Sequence, residues 1–243
     1  MAEEGDRFPL HTAAREGKVN VVEALLKTNP KLSKVKDDDG RYAIHWAASA
    51  NNLDIVVLLA NQSGFDPDVQ DGSGWTPLMI SASVPESEAV LQVLLKADAD
   101  VNEKSTYIIA NYKDSTLTVF CRQQWSAKLL IDAKPPASTR VRDRRGQYPI
   151  HRAAAVGSVP IVLLLLKNRS PLNATDNEGY TPLHHAIAEG HGDTAVALLK
   201  EGADFTLKNT DEVLALDLAP DKEVRKYIEQ GAEREGIDLG VQA

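Results

Sequence analysis

The chain has 243 residues, 43% hydrophobic and 26% charged, the balance of a folded globular protein rather than a disordered one. Its formal net charge of −8 argues against phosphate-driven binding of nucleic acid and suits a partner with a basic face. A lone cysteine, Cys121, excludes an intramolecular disulfide and argues against a cysteine-based metal site, and no apolar run approaches the roughly 20 residues of a membrane helix.

In chain order, the acidic start Met-Ala-Glu-Glu-Gly-Asp-Arg lacks the apolar core of a signal peptide, so an intracellular protein is expected. A repeat follows at once. The string Phe8-Pro9-Leu10-His11-Thr12-Ala13-Ala14 recurs as Tyr42-Ala43-Ile44-His45-Trp46-Ala47-Ala48 and as Trp75-Thr76-Pro77-Leu78-Met79-Ile80-Ser81. It returns as Tyr148-Pro149-Ile150-His151-Arg152-Ala153-Ala154, as Tyr180-Thr181-Pro182-Leu183-His184-His185-Ala186, and more weakly as Leu214-Ala215-Leu216-Asp217-Leu218-Ala219. Positions 9, 43, 77, 149, 182 and 215 are equivalent, so the period is 33 or 34 residues and the one longer step, 77 to 149, spans two periods. Seven units are implied.

Each residue type has a mechanical reason. Thr caps a first helix, and Pro sits at its first position, where a missing N–H costs nothing. Leu or Ile enters the core, and small Ala lets neighbouring units approach. Gly17, Asn51, Gly157 and Gly190 stand where the first helix must end in a left-handed residue. Apolar stretches, Val19 to Leu26, Leu53 to Leu59, Ala89 to Leu95, Val159 to Leu166 and Ala195 to Leu199, supply second helices. Asp39-Gly40, Ser73-Gly74 and Glu178-Gly179 are turn dipeptides suited to projecting hairpin tips. This is the period and motif of the ankyrin repeat. The expected fold is all-α, an ankyrin-repeat solenoid of about seven helix-turn-helix units with projecting β-hairpin loops. No unit buries its apolar face alone, so stability must come from stacking on neighbours.

The fourth unit is degenerate. Residues 106–122 contain neither Gly nor Pro and no trace of the motif, and their β-branched and aromatic content favours a strand. Trp125 to Ala133 nevertheless reads as a second helix. The organisation expected is repeats one to three over 1–105, an anomalous segment over 106–123, the rest of repeat four to repeat seven with a polar cap over 124–230, and a polar tail over 231–243. Poor order is expected for 106–122.

The histidines tempt a catalytic or metal reading. His11, His45, His151 and His184 occupy one motif position in separate units, which points to a structural role in the loop network. His184, His185 and His191 are close in sequence, but a helix points the first two apart. No Gly-rich phosphate loop, nucleophile elbow or supported carboxylate pair is present, so an enzyme is not expected, nor a cofactor. Arg140, Arg142, Arg144 and Arg145 form a basic cluster, whereas Asp37, Asp38, Asp39, Asp66, Asp68 and Asp71 crowd the first three loops. Such segregation orients a partner of complementary charge. Trp46 and Trp75 lie beside hairpin and first helix, and Trp is enriched in binding hot spots.

Beyond the generic repeat, four strings stand out: Asp39-Gly-Arg-Tyr-Ala-Ile-His-Trp-Ala-Ala-Ser49, Asp71-Gly-Ser-Gly-Trp-Thr-Pro77, His151-Arg-Ala-Ala-Ala-Val-Gly-Ser158 and Ala188-Glu-Gly-His-Gly-Asp193. In these the chain resembles the gankyrin family, ankyrin-repeat chaperones of the proteasome regulatory particle, and especially its fungal members. The resemblance covers about residues 8–105 and 124–230 and fails over 106–122, where that family has a regular repeat. It implies a monomeric, cytoplasmic and nuclear chaperone that binds the C-terminal domain of one proteasome base ATPase subunit through a concave face, with no nucleic acid and no membrane involved. By position it recruits Asp39, Arg41, Trp46, Asp71, Trp75, Arg145, Tyr148, Arg152, Tyr180 and Glu189 as partner-binding residues. A generic ankyrin adaptor for kinases or transcription factors is the other reading left open.

Two origins fit residues 106–122: a natural insertion, or message joined in the wrong place. Arg122-Gln123-Gln124-Trp125 can be encoded AGA CAA CAA TGG, which one base later reads Asp-Asn-Asn-Gly, a tip like Asp176-Asn-Glu-Gly179. Sequencing the mature transcript separates them, because a message holding codons 106–122 intact sinks the splicing origin.

Overall fold

A computed structural model describes residues 6–103 and 124–240, in two compact units, and the anomalous segment 106–122 lies outside the described residues. The first unit comprises described residues 6–103 and 132–137, and the second comprises 124–131 and 138–240.

In the first unit three helix pairs follow one another: α1 (Pro9–Arg15) with α2 (Val19–Thr28), α3 (Ala43–Ser49) with α4 (Leu53–Ala60), and α5 (Pro77–Ser83) with α6 (Glu88–Lys96). A 3₁₀ turn, Pro30–Lys34, closes the first pair. In the second unit α7 (Gln124–Ile131) packs on α9. There α8 (Pro149–Ala155) pairs with α9 (Val159–Lys167), and α10 (Pro182–Ala188) pairs with α11 (Gly192–Lys200). A 3₁₀ turn, Ala215–Leu218, and the final helix α12 (Lys222–Arg234) end the unit.

None of these helices is long enough to hold in water alone, so packing must hold them. First helices lie side by side, α1 on α3 on α5 and α8 on α10, and second helices form an outer row. Ala13, Ala14, Ala43, Ala47, Ala48, Ala153 and Ala154 are buried at these seams and bring backbones close, while Leu10, Ile44, Leu78, Ile150 and Leu183 fill the space behind them. Asn51 ends α3 with φ 54°, the left-handed residue that Gly supplies after α1, α8 and α10. Helices α11 and α12 approach closely at Gly231, where an added Cβ would collide with a methyl of Val196.

The projecting loops are short, tight turns. Each is a turn closed by a pair such as Asp37 N–H to the Arg41 carbonyl (2.9 Å) and Gly40 N–H to the Asp37 carbonyl (3.0 Å). Among the described residues the β-type pairing is an isolated bridge between Lys208 and Leu214. The tips are too short for a ladder, and a side chain closes them instead, as described below.

The motif histidines join neighbouring repeats within each unit. Nδ1 of His45, His151 and His184 accepts the backbone N–H of the residue capping its own helix, Tyr42, Tyr148 and Thr181, at 3.1, 3.0 and 3.3 Å. Nε2 then donates to carbonyls of the next loop: Val69 and Trp75 from His45, Ala174 from His151, and Val213 from His184. His11 reaches Val35 and Arg41 in the same way. An accepting Nδ1 and a donating Nε2 require neutral imidazole with its proton on Nε2.

Burial drives His45, His151 and His184 below the ordinary histidine range, His151 to about 4 with help from the neighbouring His185, and the carbonyl acceptors offset only part of this. The unfolded chain therefore binds protons at these three positions when the folded chain does not. Their contribution is fully present above about pH 6.5, the unfolded histidine value, and is lost as pH falls towards the folded values. Unfolding free energies from urea titrations between pH 7.5 and 5 should drop with a slope of up to about 1.4 kcal/mol per pH unit for each histidine. His151→Gln should be less stable at pH 7.5 but flatter in pH; a flat wild-type profile would rule the mechanism out.

Candidate functional site

The loop tips and the exposed sides of the first helices carry the residues singled out in the sequence, and one device builds both units. The loops read Asp37-Asp-Asp-Gly-Arg41, Asp71-Gly-Ser-Gly-Trp75, Asp143-Arg-Arg-Gly-Gln147, Asp176-Asn-Glu-Gly-Tyr180 and Asn209-Thr-Asp-Glu-Val213. Oδ1 of the opening residue closes the turn. In Asp71 it accepts the amides of Ser73 (2.8 Å) and Trp75 (3.0 Å), and in Asp176 those of Glu178 (3.0 Å) and Tyr180 (2.9 Å). Asp37 and Asn209 repeat the pattern.

Oδ2 then reaches outward. It accepts from the last loop residue of the preceding repeat: Arg41 Nε to Asp71 and Gln147 Nε2 to Asp176, both at 3.1 Å. It also accepts from a first-helix residue of its own repeat: Trp46 Nε1 to Asp37 at 2.6 Å and His185 Nε2 to Asp176 at 2.9 Å. Burial alone would raise Asp37 and Asp176. For Asp37 the Trp46 indole and the Arg41 and Asp39 amides outweigh it, and for Asp176 the His185 and Gln147 side chains and the loop amides do, so both carboxyls sit below the ordinary range.

In the first unit this frame brings Asp39, Arg41, Trp46, Asp71 and Trp75 together. Asp39 is exposed at a tip, and its carbonyl accepts the Gly72 N–H at 3.0 Å. Trp46 is half-buried, and its ring carries the guanidinium groups of Arg41 at 4.7 Å and Arg15 at 5.4 Å. Trp75 is also half-buried, its amide held by Asp71 and its carbonyl by His45. Asp71 differs from the others. At 5% exposure, with both oxygens engaged inside the unit, it holds the loop and Arg41 in place.

In the second unit Arg145 is exposed at a tip, with its carbonyl accepting Asn177 N–H at 2.8 Å. Tyr148 stacks on His151 at 5.9 Å and is covered by Arg142 at 4.8 Å. Arg152 lies half-buried on α8, Tyr180 packs against His184 and His185 at 5.6 and 5.4 Å, and Glu189 is exposed at the C-terminal end of α10. The contact set drawn from the sequence left out Asp37, Asp176, Gln147, His185, Arg15 and Arg142. The acidic and basic loop clusters had marked Asp37 and Arg142, and the recurring Asp-x-x-Gly spacing was the available signal for Asp176; nothing in the pattern distinguished the rest.

The fold and its loops have counterparts among known proteins. A profile of the ankyrin-repeat family, described as "Ankyrin repeats (3 copies)", matches residues 10–105 and 117–209. The chain is an ankyrin-repeat protein. Ankyrin-repeat proteins are protein-binding scaffolds rather than typical enzymes, and that is the role the family gives this chain. Over 225 residues, 90% of this chain and 96% of the relative, it is 36% identical to the "Probable 26S proteasome regulatory subunit p28" of Saccharomyces cerevisiae. It is 34% identical over 223 residues, 90% and 92% of the two chains, to the "Ankyrin repeat-containing protein C6C3.08" of Schizosaccharomyces pombe. Among solved structures, the ankyrin repeat domain of Bcl-3, a member of the IkappaB protein family, superposes with a TM-score of 0.73 at 25% identity, covering 93% of this chain and all of that one. Among the described residues no helix is long and apolar enough to cross a membrane, and no group of three potential metal ligands occurs.

The contrast between the two tip aspartates is measurable. Asp71→Ala strands two loop amides and a half-buried guanidinium and should cost about 2–3 kcal/mol in urea unfolding. Asp39→Ala removes an exposed carboxylate and should stay within about 0.5 kcal/mol. Equal losses would show that the frame does not depend on Asp71.

Proposed function

We propose that this protein is an assembly chaperone of the 26S proteasome regulatory particle, which takes up the C-terminal domain of one base ATPase subunit on its loop tips and first helices. The observation that carries the reading is the alignment, along nearly the whole of both chains, with the yeast protein named as a probable 26S proteasome regulatory subunit. The chemistry of the face supports it. Asp38 and Asp39 stand exposed on the first unit's tips, and Arg142 and Arg145 stand exposed on the second unit's loops. A partner with basic and acidic patches in the matching order is recognised by charge and steered in diffusion. Asp39, Arg41, Trp46, Trp75, Arg145, Tyr148, Arg152, Tyr180 and Glu189 are the proposed contacts, and Asp71 serves as the holder of Arg41. Action as a monomer in cytoplasm and nucleus belongs to the same proposal.

Affinity capture with tagged full-length protein, read by mass spectrometry at low and high salt, tests it. Base ATPases should be recovered without the proteolytic core, and less of them at high salt. In titrations against a purified ATPase C-terminal domain, Trp46→Ala and Arg152→Glu should each weaken binding by at least about tenfold. Lys27→Glu, on the outer helix α2, should not. Capture of kinases or transcription factors in place of the ATPases would replace this reading with that of a general adaptor.

A further inference from the structure

The first unit has a second surface that the proposed partner face does not use. Below the loops, Tyr42, Ile44, Leu59, Phe65 and Val69 line a cavity of about 220 Å³ between successive repeats. Whole small-molecule ligands occupy pockets from about 300 Å³ upward, so this space suits one apolar side chain. Ile44 and Trp46 are two residues apart on α3, about 200° around the helix, which sets the cavity on a different side of the unit from Trp46.

The rim is basic. Lys34 lines the cavity and lies over Gly64, with Nζ 2.9 Å from where a Cβ would stand. Lys36 holds its ammonium 5.1 Å from the Tyr42 ring centre and donates to the Gln70 carbonyl at 3.4 Å. Both lysines are exposed, as are Lys27 and Lys31 earlier in the same stretch of chain. Among the described residues none of the four is ion-paired with a carboxylate, although the chain carries 35 acidic residues. Asp66 also lines the cavity, with Oδ1 accepting the Asp68 amide at 3.0 Å. It gives the surface a polarity, because a ligand's carboxylates must leave the cavity on the lysine side.

We infer that this edge is a docking surface for an acidic peptide segment, which seats one apolar side chain among Tyr42, Ile44, Leu59, Phe65 and Val69 and sets its carboxylates against Lys34 and Lys36. The apolar anchor supplies affinity, and the lysines supply orientation and salt dependence. The surface is independent of the ATPase reading and can be occupied in either case.

The test uses full-length protein and a short fluorescein-labelled peptide of aspartates and glutamates around one central phenylalanine. Anisotropy should saturate, and amide NMR shifts should centre on Ile44, Leu59, Phe65 and Val69. Replacing the phenylalanine by alanine should weaken binding by at least about tenfold. Replacing the acids by their amides, or making Lys34→Glu in the protein, should weaken it by about fivefold at low salt, and added salt should close that gap. Lys34 is exposed, so the variant keeps its fold, which a thermal melt verifies. Unsaturable binding, shifts centred on Asp39, Trp46 or Arg152, indifference to Lys34→Glu, or self-association through this edge in sedimentation would each overturn the inference.

Discussion

Everything in this protein depends on the way one repeat borrows hydrogen bonds from the next. A seven-residue helix has no stability of its own, and its loop has no strand ladder to hold it. Two side chains supply what the backbone lacks. The motif histidine ties the cap of its own helix to the carbonyls of the following loop. The loop aspartate closes its own turn with one oxygen and takes a neighbour's side chain on the other. Both are buried polar groups, costly to leave unpaired, so the two neighbours are satisfied together or not at all. That shared satisfaction makes loops of five residues rigid enough to present side chains to a partner.

The same network sorts residues of one chemical type into different roles. Asp37, Asp71 and Asp176 point inward and serve the frame, while Asp38 and Asp39 on the same tip face solvent. Arg41 is spent on Asp71 and the Trp46 ring, whereas Arg142 has only the Tyr148 face beneath it and Arg145 stands out from its tip. An acidic chain thus keeps arginines and lysines available at chosen places. Each opening aspartate gives Oδ1 to backbone amides, which leaves its Oδ2 for a neighbouring side chain, as Asp71 gives its own to Arg41.

Much of this was legible beforehand. Helix starts at Pro77, Pro149 and Pro182, the left-handed stops at Gly17, Asn51, Gly157 and Gly190, and the outer helices from Val19 to Leu199 follow from local chemistry repeated at a fixed period. The structural reading of the histidines also held, because recurrence in separate repeats is incompatible with a shared metal or catalytic centre. What the letters did not give is how the projecting loops close, with an aspartate accepting two loop amides beside the backbone pair. Among the candidate contacts, Asp71 looked the equal of Asp39, since each precedes a glycine at a loop and a string of letters carries no burial.

The sequence by itself determined the repeat, its period, the ankyrin architecture and the kinship with a proteasome subunit. These are encoded in short-range chemistry copied along the chain, where each copy checks the others. Only the tertiary structure decided which carboxylate is buried and which is free, that Trp46 carries two guanidinium groups, and that Tyr42, Ile44, Leu59, Phe65 and Val69 line a cavity with Lys34 at its edge. These facts arise from contacts between residues about one repeat apart, at positions the consensus leaves open. Their geometry exists only once one repeat is laid on the next.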